Sequence, residues 1–217
     1  MTNNKISGNR CGRDLPNDIC SEVMERCVLC WRLTDVPKTR PVSQRNGYID
    51  GAGQLCECCY CTLVKEGNFS AIQFIIEGAD VLDLFAGSGQ LGIEALSRGA
   101  KSAVFVDSAK DAQSCITENL KNCGFLDNAK LKSTDAALYL AGAFERFDIA
   151  FLDPPYAAQQ LAAVLPAVSR VMRAGGVVFC ETAKGVELPE RAGGLVKIKE
   201  YRYGRTMVYS YRKEDDE

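Results

Sequence analysis

From about Ala79 onward, short apolar runs alternate with segments of helical periodicity, and this alternation limits the possible folds more than any other feature. Consecutive strand–helix units bury both partners by laying parallel strands in one sheet with helices on its faces. "DVLDLFA" (80–86) predicts a first strand, and "GQLGIEALSRGA" (89–100) a helix with Gly99 placed to close it. "SAVFVD" (102–107) predicts the second strand and "AKDAQSCITENLKNCG" (109–124) an amphipathic helix stopped at Gly124. A third strand is expected over 129–135, a helix over 136–143 and a fourth strand over 147–153. A helix interrupted or kinked near Pro166 follows over 159–176, then a fifth strand over 177–182. The end, "LVKIKEYRYGRTMVYSYRK" (195–213), alternates about Gly204 as a β-hairpin does.

Residues 1–68 behave differently: they are polar and broken, and they hold eight of the eleven cysteines. A length of 217 residues suits one domain with a small appendage. No apolar run reaches the roughly 18 residues of a membrane span, and "MTNNKISGNRCGR" has no apolar signal-peptide core. The expectation is a cytoplasmic protein with no membrane partner. There is no histidine, which removes Ser/His and Cys/His nucleophilic catalysis and His-ligated zinc chemistry together. The net charge of −2 opposes a generally basic surface. Between Lys184 and Lys213, however, eight basic residues face only Glu187, Glu190 and Glu200, and the tail "EDDE" offsets part of this excess. That run reads as a solvated face or as a phosphate-facing patch.

"GSGQLG" (87–92) satisfies G-x-G-x-x-G between a strand and a helix, with Asp107 some 20 residues past the first glycine. By rule this is a dinucleotide fingerprint. S-adenosylmethionine fits the same switch point, and a tight turn without a ligand is the plain alternative. Asp83, four positions before the first glycine, separates the first two. A carboxylate there repels a pyrophosphate and attracts a ligand bearing an ammonium and a sulfonium.

"FDIAFLDPPY" (147–156) ends a strand in an acid, two prolines and a tyrosine. It reaches the same carboxyl edge of the sheet as the glycine loop, where open α/β folds place their ligands. An exocyclic amine of a nucleobase is a poor nucleophile because its lone pair is delocalised into the ring. Accepting hydrogen bonds from both of its N–H groups localises that pair. Asp153 offers one acceptor and the Pro154 carbonyl another, while Pro154 and Pro155 hold the loop rigid beforehand. Tyr156 can stack on a base that has left its helix. A Pro-Pro turn capped by Asp153 is the structural alternative.

"VLDLFAGSGQLGIEALSRGA", "VFVDS", "FDIAFLDPPY" and the closing "YRYGRTMVYSYRK" resemble the RsmD family, methyltransferases acting on a guanine N2 of 16S ribosomal RNA. The resemblance covers roughly residues 69–213. The DPPY motif alone is shared with adenine-N6 DNA methyltransferases. The resemblance implies an α/β, Rossmann-like class I methyltransferase fold with a seven-stranded, mostly parallel sheet ending in a β-hairpin; the residues before it read as a small irregular Cys-rich extension. It implies S-adenosylmethionine as cofactor and 16S rRNA or the small ribosomal subunit as partner. Asp83, Gly87, Ser88 and Gly89 would line the methionine end, Asp107 would hold the ribose hydroxyls, and Asp135 and Ala136 would sit at the adenine. Asp153, Pro154, Pro155 and Tyr156 would form the catalytic loop. Arg10, Arg13, Arg40 and Arg205 are candidates for RNA phosphate contacts.

The expected division is an N-terminal extension over 1–68, the methyltransferase domain over 69–213 and an acidic tail over 214–217. "ISGNRCGRDL" (6–15), "TRPVSQR" (39–45) and "VKEGNFSAIQF" (64–74) resemble pieces of the family's N-terminus. A Cys-rich insert over about 46–63 departs from it. "CVLC" (27–30) and "CECCYC" (56–61) can be read as a four-thiolate zinc site with Cys58 and Cys61 as the second pair, or as an irregular insert without metal. No residue is taken as a ligand on this ground. Cys115, Cys123 and Cys180 are expected in the core. Rival functions are an NAD-dependent oxidoreductase, an adenine-N6 DNA methyltransferase and a non-catalytic RNA-binding relative.

Overall fold

The computed structural model describes residues 24–45, 47–49, 53–154 and 157–215, and the chain divides into two compact units. The first comprises residues up to Glu66 together with Tyr203–Arg205. It contains two short hairpins where sequence periodicity gives no clear elements. β1 (Met24–Arg26) pairs antiparallel with β2 (Leu33–Pro37), and β3 (Tyr48–Ile49) with β4 (Gly53–Gln54). Helix α1 (Glu57–Ile72) begins directly afterwards, seven residues before the helix expected from Val64. Arg45 is buried and braces this unit: its guanidinium meets Glu25 at 2.7 Å and donates to the carbonyls of Lys38 and Arg40, both at 2.7 Å.

The second unit carries the expected parallel sheet. Its elements are β5 (Asp80–Leu84), α2 (Gln90–Ser97), β6 (Ser102–Asp107), α3 (Lys110–Cys123), β7 (Ala129–Ser133), α4 (Ala136–Gly142) and β8 (Phe147–Leu152). There follow α5 (Ala157–Val171), β9 (Met172–Ala183), β10 (Arg191–Ala192), β11 (Leu195–Tyr203) and β12 (Thr206–Lys213). The strand order is β10-β11-β12-β9-β8-β5-β6-β7. β5 runs parallel to both β6 and β8, and its central place puts the order reversal beside it.

The sheet has eight strands rather than seven. Gly193, at φ 62°, and Gly194 make a two-residue turn that folds Arg191–Ala192 back onto Leu195–Val196, a geometry left-handed glycines favour. Ser169 Oγ accepts the Gly194 N–H at 2.8 Å and anchors the turn. A second departure lies before Val177. Residues 172–176, expected as helix, open β9 with a bulge, Met172 opposing Phe147 and Val177 opposing Ile149. Arg173 fixes this start by reaching Asp80 at 2.8 Å and Asp148 at 2.6 Å. Helix α5 runs through Pro166 as one element.

One face of the sheet buries Leu82, Leu84, Val104 and Val106 against α4 and α5 residues such as Leu140, Leu161 and Leu165. On the other face, pairing registers place Asp83 between Phe105 and Phe151, with Phe179 beyond. Phe151 also meets Phe69, ring centroids 5.4 Å apart. Cys180 is buried as expected, whereas Cys115 and Cys123 are exposed. The inward stripe of α3 is Ile116 and Leu120, one helical turn apart, so those two cysteines fall outside it.

Gly92 lets α2 approach this second face. A Cβ there would stand 2.3 Å from Phe105 and 3.1 Å from Asp83. Gly92→Ala is therefore expected to destabilise the chain by about 1–3 kcal/mol through overpacking. Gly142→Ala, facing open space at the end of α4, should be neutral or gain up to ~1 kcal/mol. Denaturant midpoints of the two variants check the contrast.

Candidate active site

At the carboxyl ends of β5, β6, β7 and β8 the sheet opens into a cavity of about 650 Å³. Asp83, Asp107, Asp135 and Asp153 all reach its wall, and among the described residues no lysine or arginine does. Asp83 is only 3% exposed, and its Oδ2 accepts the Gly92 N–H at 2.8 Å. Burial pushes its carboxyl up to about 7; the Gly92 N–H opposes this, and the charges of Asp153 and Asp107 add to it.

Asp107 ends β6 and ties two loops together. Its Oδ2 accepts the Gly87 N–H at 2.9 Å and its Oδ1 the Ala109 N–H at 2.8 Å. Each oxygen keeps a further lone pair for a ligand. Asp135 caps α4, its Oδ1 accepting from Ala137 and Leu138. The loop after β5 turns on left-handed residues: Gly87 (φ 55°), Gly89 (φ 75°) and, without a glycine's freedom, Phe85 (φ 66°). Phe85 and Ala86 both donate to the Val106 carbonyl, which holds that conformation.

Asp153 stands solvent-open at the cavity's far side, yet the protein around it desolvates its carboxyl and raises it. Glu181 follows Cys180, the partner of Leu152 across the β8–β9 pair. Burial, with the charge of Asp153, lifts Glu181 to about 8.

A family model described as "Conserved hypothetical protein 95" matches residues 60–212. YlbH of Bacillus subtilis is 41% identical over 155 residues, 69% of this chain and 84% of that protein. The chain belongs to the RsmD family. Ribosomal RNA small subunit methyltransferase D of Haemophilus influenzae is 30% identical over 155 residues, 64% of this chain and 79% of that one. Among solved structures, a conserved hypothetical protein of Streptococcus pyogenes is 37% identical with a TM-score of 0.65, covering 69% of this chain and 95% of that one. The methyltransferase fold extends to SMU.776, solved with SAH, at 15% identity and a TM-score of 0.58, covering 69% and 48%.

Of the residues that the RsmD resemblance singles out, Asp83, Gly87, Ser88, Asp107, Asp135, Ala136 and Asp153 line this one cavity. Gly89 is not among the lining residues. A Cβ there would press on Ile116 and Phe105 at 3.1–3.3 Å, so its place in the loop is a packing requirement. Pro154 is buried directly after Asp153. Pro155, Tyr156, Arg10 and Arg13 lie outside the described residues. Arg40 and Arg205 are exposed in the N-terminal unit, Arg205 donating to the Gln44 carbonyl at 3.4 Å.

Sequence reasoning did not single out Phe85, Gln90, Ser108 and Thr134, which also line the cavity, or Glu181. Ser108 follows Asp107 and Thr134 precedes Asp135, so adjacency to a strand-end acid was their available signal. The basic C-terminal run is partly consumed by acids: Lys197 meets Glu190 and Glu200 at 2.7 Å each, and Arg191 meets Glu214 at 2.6 Å. The cysteines of the N-terminal unit also gather. The sulfurs of Cys27, Cys30, Cys56 and Cys59 all lie within 4.8 Å of one another, so the second pair is Cys56 and Cys59 rather than Cys58 and Cys61. The side chains of Cys58 and Cys61 are outside the described ones.

Because Asp83 titrates near 7 when folded, against an ordinary value of 3.8, the folded chain holds a proton that the unfolded chain releases. Stability at low pH is therefore lost as pH rises between those values and stays lost above 7. Asp83→Asn keeps an acceptor for Gly92 and is expected to stabilise the chain at pH 8 by ~2–4 kcal/mol, the gain vanishing near pH 4. Urea unfolding of both forms across that range checks the sign.

Proposed function

We propose that this chain transfers a methyl group from S-adenosylmethionine to the exocyclic N2 amine of a guanine in 16S ribosomal RNA. The observation that carries the reading is a cavity wall whose described residues include four aspartates and no lysine or arginine, with Asp153 among them. Such a wall suits a ligand with positive charge and hydroxyls, and it disfavours the pyrophosphate of a dinucleotide. The RsmD-family membership and the names of its relatives support ribosomal RNA as the substrate.

When bound, S-adenosylmethionine supplies a methyl carbon made electrophilic by its sulfonium. In this reading Asp83 faces the amino group of its methionine end, with Gly87 and Ser88 in the adjoining turn. Asp107 keeps lone pairs free for the ribose hydroxyls, and Asp135 and Ala136 border the adenine. Asp153 and the Pro154 carbonyl accept from the guanine amine and localise its lone pair as the new N–C bond forms. The cofactor would supply the methyl group with its sulfur retaining the electrons of the methyl–sulfur bond. The surplus proton leaves the nitrogen toward the carboxylate and then water. Preorganised acceptors of this kind need no rearrangement during the reaction.

The deciding experiment is mass spectrometry of 16S rRNA from cells with and without the gene, together with the purified chain acting on unmethylated RNA or small subunits. N2-methylguanine made only when the chain is present supports the proposal. N6-methyladenine, or no methylated base in either assay, rejects it.

Asp153→Ala is expected to lower turnover by about 10²–10³ and leave cofactor affinity nearly unchanged. Asp107→Ala should chiefly weaken cofactor affinity. Calorimetry and single-turnover kinetics separate the two, and the reverse pattern would exchange the roles. With Arg40 and Arg205 as phosphate contacts, RNA affinity should fall steeply with salt. Arg40→Ala and Arg205→Ala should each flatten the log–log slope by about 0.7–0.9.

A further inference from the structure

Among its described residues the N-terminal unit has a small apolar interior. Its buried cluster is Cys27, Leu55 and Cys56, with Ile49, Cys59, Tyr60 and Leu63 packed partly against it. A core this small does not hold short hairpins together without a staple. The same place gathers four free thiols, Cys27, Cys30, Cys56 and Cys59.

Their spacing is diagnostic. All four sulfurs lie within 4.8 Å of one another, and Cys30 Sγ and Cys56 Sγ are 3.6 Å apart. A disulfide needs about 2.05 Å between sulfurs. Four thiolates at ~2.3 Å around one tetrahedral ion stand about 3.8 Å from each other. An iron–sulfur cluster interposes several atoms between its cysteines and needs a wider set. We propose that Cys27, Cys30, Cys56 and Cys59 bind a single structural zinc ion.

The backbone around each pair is built for this. Cys27-Val-Leu-Cys30 forms the reversal between β1 and β2. Trp31 N–H donates to the Cys27 carbonyl at 2.8 Å, and Cys27 N–H to the Arg32 carbonyl at 2.9 Å. Such a knuckle needs a left-handed residue behind its second cysteine, a place suited to glycine. Trp31 takes it at φ 59°, with its carbonyl held by Arg26 Nη1 at 2.9 Å. A bulky residue in that conformation is strained and persists only where its surroundings over-determine it.

The second pair stands at the start of α1. Tyr60 N–H donates to the Cys56 carbonyl at 2.9 Å, so Cys56 precedes the first turn and Cys59 lies within it. Spacing alone suggests Cys58 and Cys61 as the second pair, whereas the sulfurs that gather with Cys27 and Cys30 are those of Cys56 and Cys59. Four soft thiolates in a closed set select zinc over magnesium or calcium and leave no open position for catalysis. The ion joins Cys30 to a residue 26 positions away and reinforces the small apolar cluster of the described residues. The inference rests on the sulfurs and is independent of the methyl-transfer reading.

The test uses the full chain, purified without chelator from zinc-supplemented cells. Elemental analysis should find about one zinc per chain. Cobalt substituted for zinc should give the intense visible bands and the sulfur-to-metal charge transfer of a tetrahedral tetrathiolate. Cys30→Ser combined with Cys59→Ser should abolish both signals, whereas Cys115→Ser combined with Cys123→Ser should retain them. The cobalt spectrum of the unaltered chain stands even where the first double variant does not fold. A metal-free chain with a featureless cobalt spectrum, iron in place of zinc, or full metal content in the Cys30/Cys59 variant would overturn the proposal.

Discussion

The hydrogen bond from the Gly92 N–H to the buried Asp83 carboxylate is the contact around which the catalytic half is organised. It joins the central strand β5 to the helix that follows, and it does so on a sheet face otherwise filled by Phe105, Phe151 and Phe179. A carboxylate in that row is desolvated by its neighbours, which is why its proton affinity rises. The absence of a side chain at Gly92 brings the helix close enough for the bond, and the same closeness forces the connecting loop into left-handed turns at Phe85, Gly87 and Gly89. Asp107 then fastens that loop to the next one through the Gly87 and Ala109 amides. Three acids of the cavity wall, Asp83, Asp107 and Asp135, are fixed by backbone donors.

That construction explains how a chain without histidine can carry group-transfer chemistry. In the proposed reaction the working groups are carboxylates and a carbonyl at strand ends, so no nucleophilic side chain is needed. The cost is crowding of negative charge. Asp83, Asp153 and Glu181 all titrate above the usual carboxylate range. A bound cation relieves that crowding, which ties ligand affinity and stability to the same groups. The opposite, amino-end edge shows the structural alternative, where Arg173 pairs directly with Asp80 and Asp148.

Legibility followed the length and regularity of each element. Strands β5 to β8 and the helices between them were readable because each repeats its periodicity over five or more residues, and the turn at Gly204 was marked by alternation on both sides. β10 was missed because two residues carry no period, although Gly193-Gly194 announced the turn. The start of β9 was read as helix because the Arg173 fork and the bulge that define it are contacts between distant strands. The exposed Cys115 and Cys123 were misplaced because a thiol counts as apolar, while the inward stripe of α3 is set by Ile116 and Leu120.

By itself the sequence determined the alternating sheet, the glycine turn, the strand-end acids and the acid-Pro-Pro loop, since each depends on residues adjacent or nearly adjacent in the chain. Only the tertiary structure decided that seven of the expected site residues line one cavity, that Phe85 shares the strained turn, and that Glu181 neighbours Asp153. It also decided which two of the clustered cysteines join Cys27 and Cys30. Local pattern fixes what a segment can become, whereas convergence of side chains from separate segments depends on strand order, pairing register and helix phase, which no single segment encodes.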